Sequence, residues 1–129
     1  MNTDLIDIKI RAVEGGVTAA AGFKAAGIHA GFRKNPERLD YALVVPDKPC
    51  PGAGVFTTNR FCAAPVQVSR VNLGGADKGY GIIAGVSINS GNANAATGET
   101  GLACARETCN IASQVIGCEP QQILVASTA

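Results

Sequence analysis

The run from Ile82 to Ile116 constrains the fold of this chain more than any other segment. An apolar stretch, Ile82-Ile83-Ala84-Gly85-Val86-Ser87-Ile88, stops abruptly at Asn89-Ser90-Gly91-Asn92-Ala93-Asn94. A helical pattern follows, with Leu102, Ala105, Cys109, Ala112 and Ile116 recurring at intervals of three and four on one face. The pattern predicts a strand over Tyr80–Ile88, apolar on both faces toward its end and therefore central, and a helix over Glu99–Ile116. Arg106, Glu107, Asn110, Ser113 and Gln114 fall off the apolar stripe. Thr97 is placed to cap the helix, Glu99 to complement its positive end, and Gly117 to close it before Pro120. A last strand is expected over Ile123–Ala126. Strand, polar turn, helix and strand in this order describe an α/β chain. The Asn-rich turn has two readings. Free N–H groups at a strand end and a helix start can hold a ligand. Alternatively, Asn and Gly simply supply left-handed backbone and Asx-turns to a tight connection.

The first half is harder to divide. Gly15, Gly16, Gly22, Gly27 and Gly31 punctuate residues 15–33, which suits closely packed short strands or a hairpin better than a helix. Asn35-Pro36-Glu37-Arg38 reads as a turn, Leu39–Val45 as a strand closed by Pro46, and Lys48–Gly52 as a rigid loop. Gly54–Thr58 reads as a further strand. Pro65 opens a helix over Val66–Leu73, stopped by Gly74-Gly75. No repeat or linker divides the chain, and one domain is expected over residues 1–129.

Composition narrows the classes of function. The 129 residues are 47% hydrophobic and 16% charged, enough for a real core and too apolar for extended disorder. Lys and Arg total 11 against 10 Asp and Glu, and aromatic residues make up 5%. Neither a basic face nor a stacking platform for nucleic acid follows. Apolar runs are short and broken by Gly, so no membrane span is expected. Met1–Asp7 lacks the basic and apolar blocks of a signal peptide, and a cytoplasmic location is expected. Cys50, Cys62, Cys104, Cys109 and Cys118 are odd in number with no C-x-x-C, and His29, placed mid-strand, has no second ligand nearby. Reduced thiols and no metal site follow.

Several segments, in order, resemble the ornithine acetyltransferase family, the bifunctional glutamate N-acetyltransferases of arginine biosynthesis. They are Gly16-Val17-Thr18-Ala19, Gly22-Phe23-Lys24-Ala25-Ala26-Gly27, Gly52-Ala53-Gly54-Val55-Phe56-Thr57-Thr58-Asn59-Arg60 with Ala64-Pro65-Val66, Asn89-Ser90-Gly91-Asn92-Ala93-Asn94-Ala95 with Thr97-Gly98-Glu99, and Val125-Ala126-Ser127-Thr128. The resemblance covers nearly the whole chain from Gly15 onward. It implies the N-terminal portion of a helix-covered, two-sheet α/β sandwich. It also implies a precursor that cuts itself before an internal Thr into α and β chains, assembled as α2β2. The freed Thr would carry acetyl from N-acetylornithine, with acetyl-CoA as a second donor in bifunctional members, to glutamate. No cofactor is implied.

By the same resemblance, Thr128 matches the family's oxyanion-hole Thr, and Ala129 stands where the family has a Gly whose backbone N–H is the second donor. The segment carrying the cleavage Thr does not occur before Ala129. The nucleophile is therefore expected to be absent from this chain, its partners to be the remaining α segment and the β chain, and the chain alone to be inactive and poorly behaved. The competing reading is a truncated, inactive remnant or a non-enzymatic binding domain of the same fold. A small-ligand sensor built on the Asn-rich loop is a third. Within the family reading, the loop becomes a structural corner and Thr128 the residue with assigned chemistry.

Overall fold

A computed structural model describes residues 10–75 and 77–129. The expectation at Met1–Asp7 lies outside the described residues. The elements are β1 (Phe23–Ile28), β2 (Tyr41–Pro46), β3 (Cys50–Ala53), α1 (Ala64–Asn72), β4 (Tyr80–Ile83), β5 (Gly85–Ser90), α2 (Gly98–Ile116) and β6 (Ile123–Thr128). Short 3-10 turns lie at Val17–Ala19 and Pro120–Gln122. Four strands form one sheet in the order β1-β2-β5-β6, and β3 pairs with β4 in a second. β1 and β2 are antiparallel, as are β2 and β5, whereas β5 and β6 run parallel on either side of the α2 crossover. The fold is mixed α/β, with two helices and two sheets.

The core lies where both helices meet β6. Ala64 and Val68 of α1, Ala105, Cys109 and Ala112 of α2, and Ile123 and Val125 of β6 form one buried cluster. The apolar stripe read from the sequence is thus the packed face of α2, although Leu102 and Ile116 only flank the cluster. Ser113, expected off the stripe, is buried; it lies one residue beyond Ala112, and its hydroxyl is satisfied by donating to the Asn110 carbonyl at 2.7 Å. Two buried polar side chains fasten α1 to β6. Ser69 Oγ donates to the Val125 carbonyl at 2.8 Å and accepts the Val125 N–H at 3.0 Å. Asn72 Nδ2 donates to the Ile123 carbonyl at 2.7 Å. These bonds satisfy the outward backbone groups of Val125 and the Ile123 carbonyl, letting an edge strand enter an apolar contact.

Several boundaries differ from expectation, each for a local reason. The strand expected over Tyr80–Ile88 is two strands serving two sheets. At Ala84 the chain leaves one ladder, and the Ala84 N–H goes to the Gln122 carbonyl at 2.8 Å. Lys48–Gly52 is not a loop throughout, because Cys50–Ala53 is a strand. Its Pro51 is tolerated since a strand in a two-stranded sheet has a free edge. Gly54–Thr58 forms no strand. There Asn59 N–H bonds Thr57 Oγ1, Phe61 N–H bonds Asn59 Oδ1, and Arg70 takes the Thr57 carbonyl at 2.7 Å. Side chains have replaced the ladder as partners for this backbone.

Residues 15–33 hold one strand rather than a hairpin. β1 pairs with β2 across the turn at Asn35, where the Arg38 N–H bonds the Asn35 carbonyl. The helix expected over Val66–Leu73 starts two residues earlier, with Pro65 in its first turn. Gly117 closes α2 in the left-handed conformation, as expected, and Glu99 lies in its first turn.

Candidate functional site

The C-terminal ends of β5 and β6 lie side by side, Asn89 opposite Ser127 and Ser90 opposite Thr128. Side chains alternate across a strand, and the two pairs diverge accordingly. Ser127 Oγ donates to Asn89 Oδ1 at 2.6 Å on the face toward α2. Ser90 and Thr128 occupy the opposite face, with Thr128 exposed. Ala129 follows directly. Asn94 and Ala96 are the non-glycine residues with positive φ among those described, so Ala129 does not have the positive φ that would require glycine.

Sequence reasoning missed the residues that frame this corner. Asp40 is buried, and its carboxylate accepts the Ala30 N–H at 2.6 Å and the Arg33 N–H at 2.7 Å. Burial pulls its pKa upward, but the amides of Ala30, Arg33 and Phe32 and the nearby His29 ring outweigh it and hold the carboxyl below its ordinary value. His29 does not lie mid-strand; it follows the last residue of β1, with Nδ1 3.0 Å from the Arg38 carbonyl and 3.3 Å from Asp40 Oδ2. Arg33 turns its side chain across the strand ends. Its Nε donates to Ser90 Oγ at 3.2 Å and its Nη2 to the backbone oxygen of Ala129 at 2.9 Å. The sequence signal available was an Asp inside a segment otherwise reading as strand, a residue type depleted there.

The Asn-rich loop is held by its own side chains. Asn89 Nδ2 donates to the Asn92 carbonyl at 2.8 Å, Asn92 Oδ1 accepts the Asn94 N–H, and Asn94 Nδ2 donates to the Gly101 carbonyl at 3.0 Å. Thr97 does not cap α2 through its side chain. Its hydroxyl turns back to Asn94 Oδ1 at 2.6 Å, leaving only its carbonyl to accept from Gly101. Gly101 is needed for this arrangement, since a Cβ there would collide with the Thr97 hydroxyl and Asn94 Oδ1. The loop's polar atoms are thus largely spent on its own geometry.

Between this loop, the sheet and α2 opens a groove of about 730 Å³, mostly apolar, with Ile28, Phe32, Tyr41, Leu43, Ile111 and Val115 among its lining residues. The five cysteines are scattered; Cys109 is buried, and burial pushes its thiol pKa up. Among the described residues no three His, Cys, Asp or Glu gather as metal ligands, and no helix is long and apolar enough to cross a membrane.

Comparison with known proteins places these features. The ArgJ family model matches residues 24–129. The arginine biosynthesis bifunctional protein ArgJ of Dehalococcoides mccartyi is 43% identical over 116 residues, 89% of this chain and 27% of the relative. The protein of the same description from Bifidobacterium longum is 49% identical over 113 residues, 87% of this chain and 28% of the relative. The chain therefore spans about a quarter of the length of these curated relatives. Two crystal structures share the fold. The arginine biosynthesis bifunctional protein ArgJ from Bacillus halodurans superposes with a TM-score of 0.78 at 33% identity, over 89% of this chain and 57% of that one. Ornithine acetyltransferase from Mycobacterium tuberculosis, solved with ornithine, superposes with 0.75 at 38% identity, over 88% and 59%. With both helices, the corner at Thr128 and all of both sheets but Phe23 inside the matched span, this chain belongs to the ArgJ family.

Proposed function

We propose that this chain supplies the N-terminal part of an arginine-biosynthesis acetyltransferase, which moves acetyl from N-acetylornithine to glutamate, with acetyl-CoA as a second acetyl donor. The observation carrying this reading is the family match over residues 24–129, which runs through the end of β6 and includes Thr128 and Ala129. In this reading the nucleophilic Thr belongs to the remainder of the polypeptide, released by self-cleavage. Its hydroxyl attacks the acetyl carbonyl while its own amine takes the proton, and ornithine leaves from the collapsed tetrahedral intermediate. Thr128 Oγ and the Ala129 N–H donate to the oxyanion of that intermediate. Glutamate then takes acetyl from the acetyl-Thr, and no cofactor takes part.

Exposed apolar side chains along the groove support the partner assignment. Ile28, Phe32, Ile111 and Val115 are large and solvent-facing, and a patch of this kind favours association. The remaining α segment and the β chain cover it in the proposed α2β2 assembly, working in the cytoplasm.

The test measures acetyl transfer from N-acetylornithine to glutamate by the purified chain, alone and completed with the C-terminal remainder of the Dehalococcoides mccartyi relative. The chain alone is expected to be inactive and the completed protein active. Transfer by the chain alone overturns the assignment of the nucleophile elsewhere. Inactivity of a folded, completed protein favours a non-enzymatic remnant or binding domain of the same fold.

A further inference from the structure

We propose that Arg33 is a positioning residue for the Thr128–Ala129 oxyanion pair, an inference that rests on the role given to those two residues above. Arg33 is anchored at three levels. Its backbone N–H is held by the buried Asp40 carboxylate at 2.7 Å. Its side-chain stem lies against Gly91, where an added Cβ would come within 2.8 Å of Arg33 Cγ. Its guanidinium then joins the end of β5, at Ser90 Oγ, to the residue after β6, at the backbone oxygen of Ala129. Residues 33 and 129 are 96 positions apart in sequence, so the contact is made by the fold alone.

An oxyanion donor contributes only if it is already oriented when charge develops. Thr128 is the last residue of the β5–β6 ladder, and Ala129 lies beyond it. The ladder therefore does not itself orient the Ala129 amide. The planar guanidinium fork supplies that orientation by holding the Ser90 hydroxyl at the end of β5 and the backbone oxygen of Ala129, just past β6, in one fixed geometry. A Lys ammonium carries the same charge without that geometry. Asp40 makes the arrangement stiff from behind, since the segment carrying Arg33 is fastened to its carboxylate at both Ala30 and Arg33.

The experiment compares Arg33→Gln, Arg33→Lys, Ser90→Ala and Thr128→Ala. The Ala129 amide is followed by NMR in the full chain, and kcat and KM are measured in the completed enzyme. Both Arg33 variants and Ser90→Ala are expected to shift the Ala129 amide while those of Ile123 and Val125 stay in place. In the Arg33 variants kcat is expected to fall about ten- to a hundredfold with KM nearly unchanged, and Lys is not expected to rescue it. Ser90→Ala, which leaves the Asp40 anchor intact, provides the same readout if the Arg33 variants fold poorly. Full kcat in Thr128→Ala overturns the oxyanion role itself. Loss of kcat in Thr128→Ala with unchanged kcat in Arg33→Gln overturns the positioning proposal alone. An Ala129 amide indifferent to all three other changes also overturns it, whatever the activity of the completed enzyme.

Discussion

The two halves of the four-stranded sheet share one hydrogen-bonded ladder and differ in almost everything else. On the β5–β6 side, Ile123 is 0% exposed and Val125 7%, pressed between both helices. On the β1–β2 side, every residue of β1 is exposed, and Leu43 of β2 packs only at the margin of the core cluster. Pairing therefore holds β1, whereas packing holds β6. Ladder hydrogen bonds exchange with water at small net gain, whereas buried apolar area is a larger and more cooperative contribution. The candidate site sits where the halves meet, with Thr128 on the packed side and Arg33 arriving from the bare side.

The sharpest test of this contrast is Ile123→Ala, expected to cost about 2–5 kcal/mol of unfolding free energy by opening a cavity at the centre of the inner half. Denaturant melts would measure it, and a loss under about 1 kcal/mol would remove the distinction between the halves. Ser69→Ala comes next, at about 1–3 kcal/mol, because it strips partners from the buried N–H and carbonyl of Val125. Equal stability of the variant would mean that water replaces the hydroxyl there.

A smaller, local effect is expected from acid. Asp40 has its pKa lowered by folding, so its contribution is fully present above the ordinary Asp value of about 3.9. That contribution declines as pH drops below this value and is gone once the folded pKa is passed. Protonation releases the amides of Ala30 and Arg33, so hydrogen exchange of residues 30–33 should rise before that of β6. Asp40→Asn should show the fast exchange already at neutral pH, and simultaneous acid opening of both halves would contradict a separate outer half. The least effect is expected from Ile28→Ala, within about 0.5 kcal/mol in this chain, since Ile28 is 54% exposed. A larger loss would show that the groove is already covered.

Much of the inner half was legible in the sequence because its period is strong. The stripe at Leu102, Ala105, Cys109, Ala112 and Ile116 placed α2 to within a residue, and Gly117 marked its end. Boundaries in the outer half were not, because Gly-rich segments of residues 15–33 and 48–58 carry no period to read. Thr97 shows the same limit at one residue. Its type suits a helix cap, but the hydroxyl found Asn94 closer than the free amides of α2.

What the sequence determined by itself was the family, the α/β alternation and the apolar face of α2, all of which depend on local residue order. Only the tertiary structure decided which sheet each strand joins and that Tyr80–Ile88 would break at Ala84. It alone brought Asp40 and Arg33 to the strand ends at Ser90 and Ala129. Those outcomes turn on partners tens of residues away, and a ladder or a guanidinium selects such a partner by geometry that no local pattern encodes.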